Sequence, residues 1–230
     1  RGLLPALWLI GLPLAYSMMA PTPTKLMGNF GRYYFPHLPV LILLGALGLE
    51  PAARALGPRP RTGEGRRFPL GALLAAVILA TALWGFAQGA VRYARNVANV
   101  EDSDVKIARW LGERVPPQAL LAVNDIGAIK FLLPNPVLDL AGIANPEIRG
   151  EVSQIMAATG LPWQSAMAEA IARRRPDYVV VFPKWLSGLE GDPRFQPILQ
   201  LKVPDNITMG GDEIVVYSTA WNRYPLESAP

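Results

Sequence analysis

From Phe68 to Val91 the chain runs FPLGALLAAVILATALWGFAQGAV, 24 residues without a single charge. Roughly 20 such residues cross the hydrocarbon core of a bilayer, so this run predicts a transmembrane helix. It also divides the chain. Before it, apolar runs alternate with short loops; after it, charges return and strand-like and helix-like stretches follow one another. Two earlier uncharged runs, Leu3 to Ala20 and Tyr33 to Leu49, fit further spans. Pro5 and Pro13 would kink the first, and Pro36 and Pro39 sit in the first turn of the second. The expected fold class is therefore membrane α-helical, with three transmembrane helices followed by a small α/β soluble domain. The spans fall at about 3–20, 33–49 and 68–91 within residues 1–92, and the domain takes 93–230.

Charge follows the same division. Residues 1–92 hold nine Lys/Arg against two acids, and residues 93–230 hold 13 against 16. The halves carry +7 and −3, and the basic surplus is concentrated in the loop Glu50 to Arg67, with five arginines. A nucleic-acid surface needs basic clusters on the folded part, which here is slightly acidic, so no nucleic-acid partner is expected. Basic loops mark the cytoplasmic side of a membrane. This places 50–67 inside and sends the C-terminal domain outside the cytoplasm, as part of an integral protein of the cytoplasmic membrane. The chain has no cysteine, which excludes disulfides, thiolate metal sites and a cysteine nucleophile. An opening of Arg1-Gly2-Leu3 is read as the C-terminal part of a longer multi-pass protein.

Beyond the third run, Arg92 and Arg95 suit headgroup contact. Ser103 is placed to cap a helix over Asp104 to Val115, stopped by Pro116-Pro117. Strands are expected at Ala119–Val123, Val137–Leu140, Asp177–Phe182, Ile198–Val203 and Glu213–Thr219, and helices at Ile148–Ala158 and Trp163–Arg175. Strands alternating with helices argue for a layered α/β sheet.

Candidate chemistry is sparse. Asn124, Asp125 and Asp139 end strands, where open α/β sheets bind ligands, so they are candidate pocket residues of the soluble domain; short polar residues also end strands by bonding local backbone. Asp102-Ser103-Asp104 has the Asp-x-Asp form that can hold a divalent ion, and also the form of an ordinary helix start. No catalytic residue and no metal site are assigned. His37 is the only histidine and has no triad around it. Asn206-Ile207-Thr208 matches a glycosylation sequon. Lys25 and Arg32, with Tyr33 and Tyr34, are candidates for binding a lipid phosphate: a guanidinium holds phosphate bidentately while the tyrosines face the apolar tail.

The stretch Gly31-Arg32-Tyr33-Tyr34-Phe35-Pro36-His37-Leu38-Pro39 resembles the entry to a late span in multi-pass C-type glycosyltransferases of the protein mannosyltransferase and aminoarabinose-transferase kind. Ala122 to Ile129 and Val137 to Glu147 are similar to the soluble tail of many bacterial members. The resemblance implies sugar transfer from a polyprenyl-phosphate donor to an extracytoplasmic acceptor, with the lipid bilayer as a partner. The family's catalytic acid lies in a first outer loop far upstream, so nothing catalytic carries over to these residues. No cofactor is identifiable here; a divalent metal, if used, belongs to that upstream part. The alternative expectation is a membrane-anchored α/β module that binds a ligand or partner without catalysis.

Overall fold

The computed structural model describes residues 39–40, 42–43 and 70–226. The chain divides into two compact units, Arg1–Gly89 and Ala90–Pro230. A helix, α1 (Leu70–Val100), contributes to both. Its 31 residues span about 46 Å at 1.5 Å per residue. Even so, among the described residues no helix is long and apolar enough to cross a membrane. From Gln88 onward the same helix carries polar residues, at Arg92, Arg95, Asn96 and Asn99. The expected fold class of three transmembrane helices, and the span at 68–91 with it, is corrected on this finding. The other two runs, 3–20 and 33–49, lie outside the described residues apart from 39–40 and 42–43.

The helix does not stop at Val100. It widens into a π-turn at Glu101–Val105 and goes on as α2 (Lys106–Arg114). The expected fresh start capped by Ser103 is therefore corrected. Ser103 is buried, and its hydroxyl donates back to the Asn99 carbonyl at 2.5 Å, as mid-helix serines do.

The remaining elements are β1 (Leu121–Val123), α3 (Gly127–Leu132), β2 (Val137–Asp139), α4 (Glu147–Thr159), α5 (Trp163–Arg174), β3 (Tyr178–Val181), β4 (Phe195–Lys202) and β5 (Glu213–Thr219). The five strands form one mixed sheet in the order β2-β1-β3-β5-β4. The first three run parallel, β5 is antiparallel to β3, and β4 pairs with β5 as an antiparallel neighbour.

Side-chain alternation sorts the core into two layers. Ala122, Val179, Val181, Val215 and Tyr217 face α4 and α5, meeting Ile148, Val152, Met167 and Ile171. Leu121, Val123, Tyr178, Val180 and Val216 face the opposite way, onto Ile107, Ala108 and Leu111 of α2 and Ile129 of α3. Both faces are covered, which is why β1 and β3 read as unbroken apolar runs and not as alternating ones. Gly160, at φ 70°, ends α4 in the left-handed conformation, and its N–H reaches Met156 O at 2.9 Å.

Candidate functional site

The parallel strands deliver three loops to one end of the sheet. Val123 pairs with Asp139 and Val180 with Val123, so the segments after β1, β2 and β3 emerge side by side. Asn124, Asp125 and Asp139 are thus brought to one sheet end, where ligands of open α/β sheets bind.

Their side chains are engaged with backbone. Asp139 is buried, and its carboxylate accepts N–H groups from Ala141 (2.9 Å), Ile143 (2.7 Å) and Ala144 (2.7 Å). Asn145 closes the loop by accepting from the Asp139 N–H at 2.9 Å. Asn124 Oδ1 accepts the Phe182 N–H at 3.3 Å, tying the β1 loop to the β3 loop. Asp125 Oδ1 accepts from Gly127 N at 3.3 Å, at the start of α3. Asp139 is thereby committed, through both carboxylate oxygens, to folding its own loop.

On the α4/α5 face lies a cavity of about 430 Å³, within the range of small-molecule pockets. Leu140 and Ala141, from the loop that Asp139 folds, form one side. Arg149 and Ser153 of α4 form a second, and Trp163 of α5 with Trp185 of the β3 loop a third. The two indoles meet edge to face, with centroids 5.1 Å apart and planes at 85°. Both rings are half-buried, so part of each remains open. Gln164 fixes the backbone beneath them: its Nε2 donates to Trp185 O at 3.4 Å, while its buried Oε1 has no hydrogen-bond partner.

The Arg149 guanidinium reaches across to the loop. Nε and Nη2 both donate to Ala141 O, at 2.9 and 2.6 Å. Ser153 donates its hydroxyl proton to Arg149 O at 2.9 Å, which leaves the oxygen's lone pairs available. An aromatic pair, a cation, a hydroxyl and apolar walls together fit a polar ring compound and lack a nucleophile with its base.

Arg149, Trp163 and Trp185 were missed in the sequence. The available signal was a tryptophan opening a helix after Pro162 and another just past the strongest strand, at Pro183-Lys184-Trp185. Lys25, Arg32, Tyr33, Tyr34 and His37 lie outside the described residues. In Asp102-Ser103-Asp104 the second acid is buried within the π-turn, and among the described residues no group of three acids or histidines could hold a metal ion. In the sequon, Asn206 Nδ2 donates to Met209 O, Gly211 O and Asp212 Oδ1, so the amide a glycan would use is occupied by its own loop.

A family model described as a domain of unknown function (DUF8728) matches residues 89–223. Comparison with curated proteins and with solved structures finds no match.

Proposed function

We propose, for a chain that belongs to the DUF8728 family by a match over more than half its length, that the α/β domain is a carbohydrate-binding module without catalysis of its own. The observation that carries this is the pocket lined by the edge-to-face pair Trp163 and Trp185 together with Arg149 and Ser153. A sugar ring has an apolar C–H face and an equatorial rim of hydroxyls. Indole faces take the first, and fixed polar groups take the second.

A second reading keeps the domain in the service of a glycosyltransferase that uses a polyprenyl-phosphate sugar, with the domain outside the cytoplasm and the acceptor sugar in this pocket. One observation favours it. The run Val137 to Glu147, which resembles the tail of such enzymes, supplies Leu140 and Ala141 to the pocket. In that reading the domain positions an acceptor and takes no part in bond making.

The test uses the whole chain and a panel of methyl hexosides followed by saturation-transfer NMR. Transfer to ring protons, cut about tenfold in apparent affinity by Trp163→Ala or Trp185→Ala, is expected. Absence of transfer from every hexoside at mid-millimolar concentration would overturn the reading.

A further inference from the structure

We infer that the pocket selects acidic sugars, a pyranose carrying a carboxylate or a phosphate, with the anionic group held by Arg149. The inference rests on the carbohydrate reading above and names the ligand class of the same pocket.

Arg149 differs from other arginines of the domain in what closes it. Arg109, Arg114, Arg174, Arg194 and Arg223 each have a carboxylate oxygen between 2.6 and 2.8 Å away. Among the described residues Arg149 has no carboxylate within 4.0 Å. Its partner is instead the neutral Ala141 carbonyl, which takes Nε and Nη2 and fixes the plane of the guanidinium. Nη1 is left with both its N–H groups. A planar cation held in place, with donors to spare, is the arrangement that recognises carboxylate or phosphate.

The walls agree. No acidic side chain lines the cavity, and the remaining lining is apolar or aromatic apart from Ser153. The fold also gives up a side chain to seat this arginine. Gly142, at φ +69°, lies so close to it that a Cβ would stand 2.7 Å from Arg149 Cγ and 2.8 Å from Nε. A glycine is needed there for both its conformation and its lack of bulk.

Residues 93–230 are net negative, so the domain as a whole repels anions. Recognition of an acidic ligand has to be local, at this one cation.

The experiment titrates the whole chain by calorimetry with glucose, glucuronate, glucose 1-phosphate and inorganic phosphate, in wild type, Arg149→Gln and Trp163→Ala. Glucuronate or glucose 1-phosphate is expected to bind at least about tenfold more tightly than glucose, and which of the two leads tells carboxylate from phosphate. Arg149→Gln should erase that margin, so that glucuronate and glucose 1-phosphate bind no more tightly than glucose does to the same variant, whereas Trp163→Ala should weaken every sugar and keep the margin. Equal affinity for glucose and the two acidic sugars overturns the selection while leaving the carbohydrate reading standing. Inorganic phosphate binding as tightly as glucose 1-phosphate, untouched by Trp163→Ala, also overturns it, in favour of a bare anion site. No binding of any sugar removes the carbohydrate reading and the selection together. Thermal unfolding of both variants shows that the fold is retained, and an Arg149→Gln variant that weakens all ligands alike counts against the proposal.

Discussion

Arg149 lies across Gly142, with its Cγ 2.7 Å from where a Cβ of residue 142 would stand. The two residues are on different elements: Gly142 is in the loop that Asp139 folds, and Arg149 is in the first turns of α4. The contact therefore transmits the loop's conformation to the pocket's cation.

Gly142→Ala is expected to cost stability and to displace the arginine. The left-handed φ alone disfavours alanine by about 1–2 kcal/mol, and the collision is with the stem of a flexible side chain, which yields by swinging away. The guanidinium then loses its seat on Ala141 O. Urea melts should show the loss of about 1–2 kcal/mol, and calorimetry should show acidic-sugar binding reduced toward that of glucose. An alanine variant with wild-type affinity for glucuronate would separate the glycine from the arginine's position.

Asp177 and Arg223 close the far end of the sheet. The carboxylate is fully buried and accepts from Leu120 N at 2.8 Å, Arg223 N at 2.9 Å, Arg223 Nε at 3.0 Å and Nη2 at 2.7 Å. Burial pushes its pKa up, but the hydrogen bonds from Arg223 and from Leu120, with the charge of Arg223, outweigh it and hold the carboxyl below its ordinary 3.8. A depressed folded-state pKa means that this stabilisation is present above about pH 4 and is lost as pH falls through the lower folded value. Asp177→Ala orphans the Leu120 and Arg223 N–H groups and should cost about 2–3 kcal/mol at neutral pH, measured by urea unfolding. Arg223→Ala takes the cation away from a fully buried carboxylate and should raise the pH at which this stabilisation is lost.

Legibility in the sequence followed burial. The run at Asp177–Phe182 stands out because β3 is buried on both faces, and it forms a strand at Tyr178–Val181. Helices α4 and α5 lie within a residue of where Pro146, Gly160, Pro162 and Pro176 bracket them. Misreading began where two local signals competed. At Glu101–Val105 an acid-serine-acid triplet looks like a helix start, but α1 runs through it because Asn99 is anchored to Pro204 O and Ile207 N from the β4–β5 loop. Uncharged length suggested a membrane span, whereas among the described residues no helix is long and apolar enough to cross a membrane. The pocket was hidden for another reason. Asp139 announces itself as a polar strand end, while Arg149, Trp163 and Trp185 converge only through tertiary packing.

The same anchor gives a third expectation. Asn99 donates Nδ2 to Pro204 O at 2.9 Å and accepts from Ile207 N at 3.0 Å, and Thr208 donates its hydroxyl to Asn96 at 3.1 Å. These bonds hold the β4–β5 loop to the end of α1, within one unit of the chain. Asn99→Ala should remove both bonds to the exposed residues Pro204 and Ile207 and cost about 0.5–1.5 kcal/mol. Amide exchange at Ile207 should accelerate while that of Val180 in the central strand stays slow. Exchange unchanged at Ile207 would show that the loop is held by other contacts.

Asp104 responds to pH in the opposite sense to Asp177. It sits in the π-turn, buried, with Oδ1 lacking any hydrogen-bond partner. Burial first, and then the nearby Asp125 carboxylate, push its pKa from 3.8 to about 7. A raised folded-state pKa means its contribution is fully present below about pH 4, where it is neutral in both states. Stability is then lost as pH rises through about 7, because ionisation is easier in the unfolded chain. The interval from 3.8 to about 7 corresponds to roughly 4 kcal/mol as an upper limit, at about 1.4 kcal/mol per tenfold. Asp104→Asn keeps the shape and removes the titration. Its urea-derived stability should vary less than that of the wild type between about pH 4 and pH 8, with the two curves diverging most at the alkaline end. Asp125→Asn removes only the secondary cause, so the folded-state pKa of Asp104 falls and the wild-type decline should be smaller and end at a lower pH, without being abolished. Parallel curves for wild type and Asp104→Asn across that window would mean that Asp104 is not held neutral in the fold.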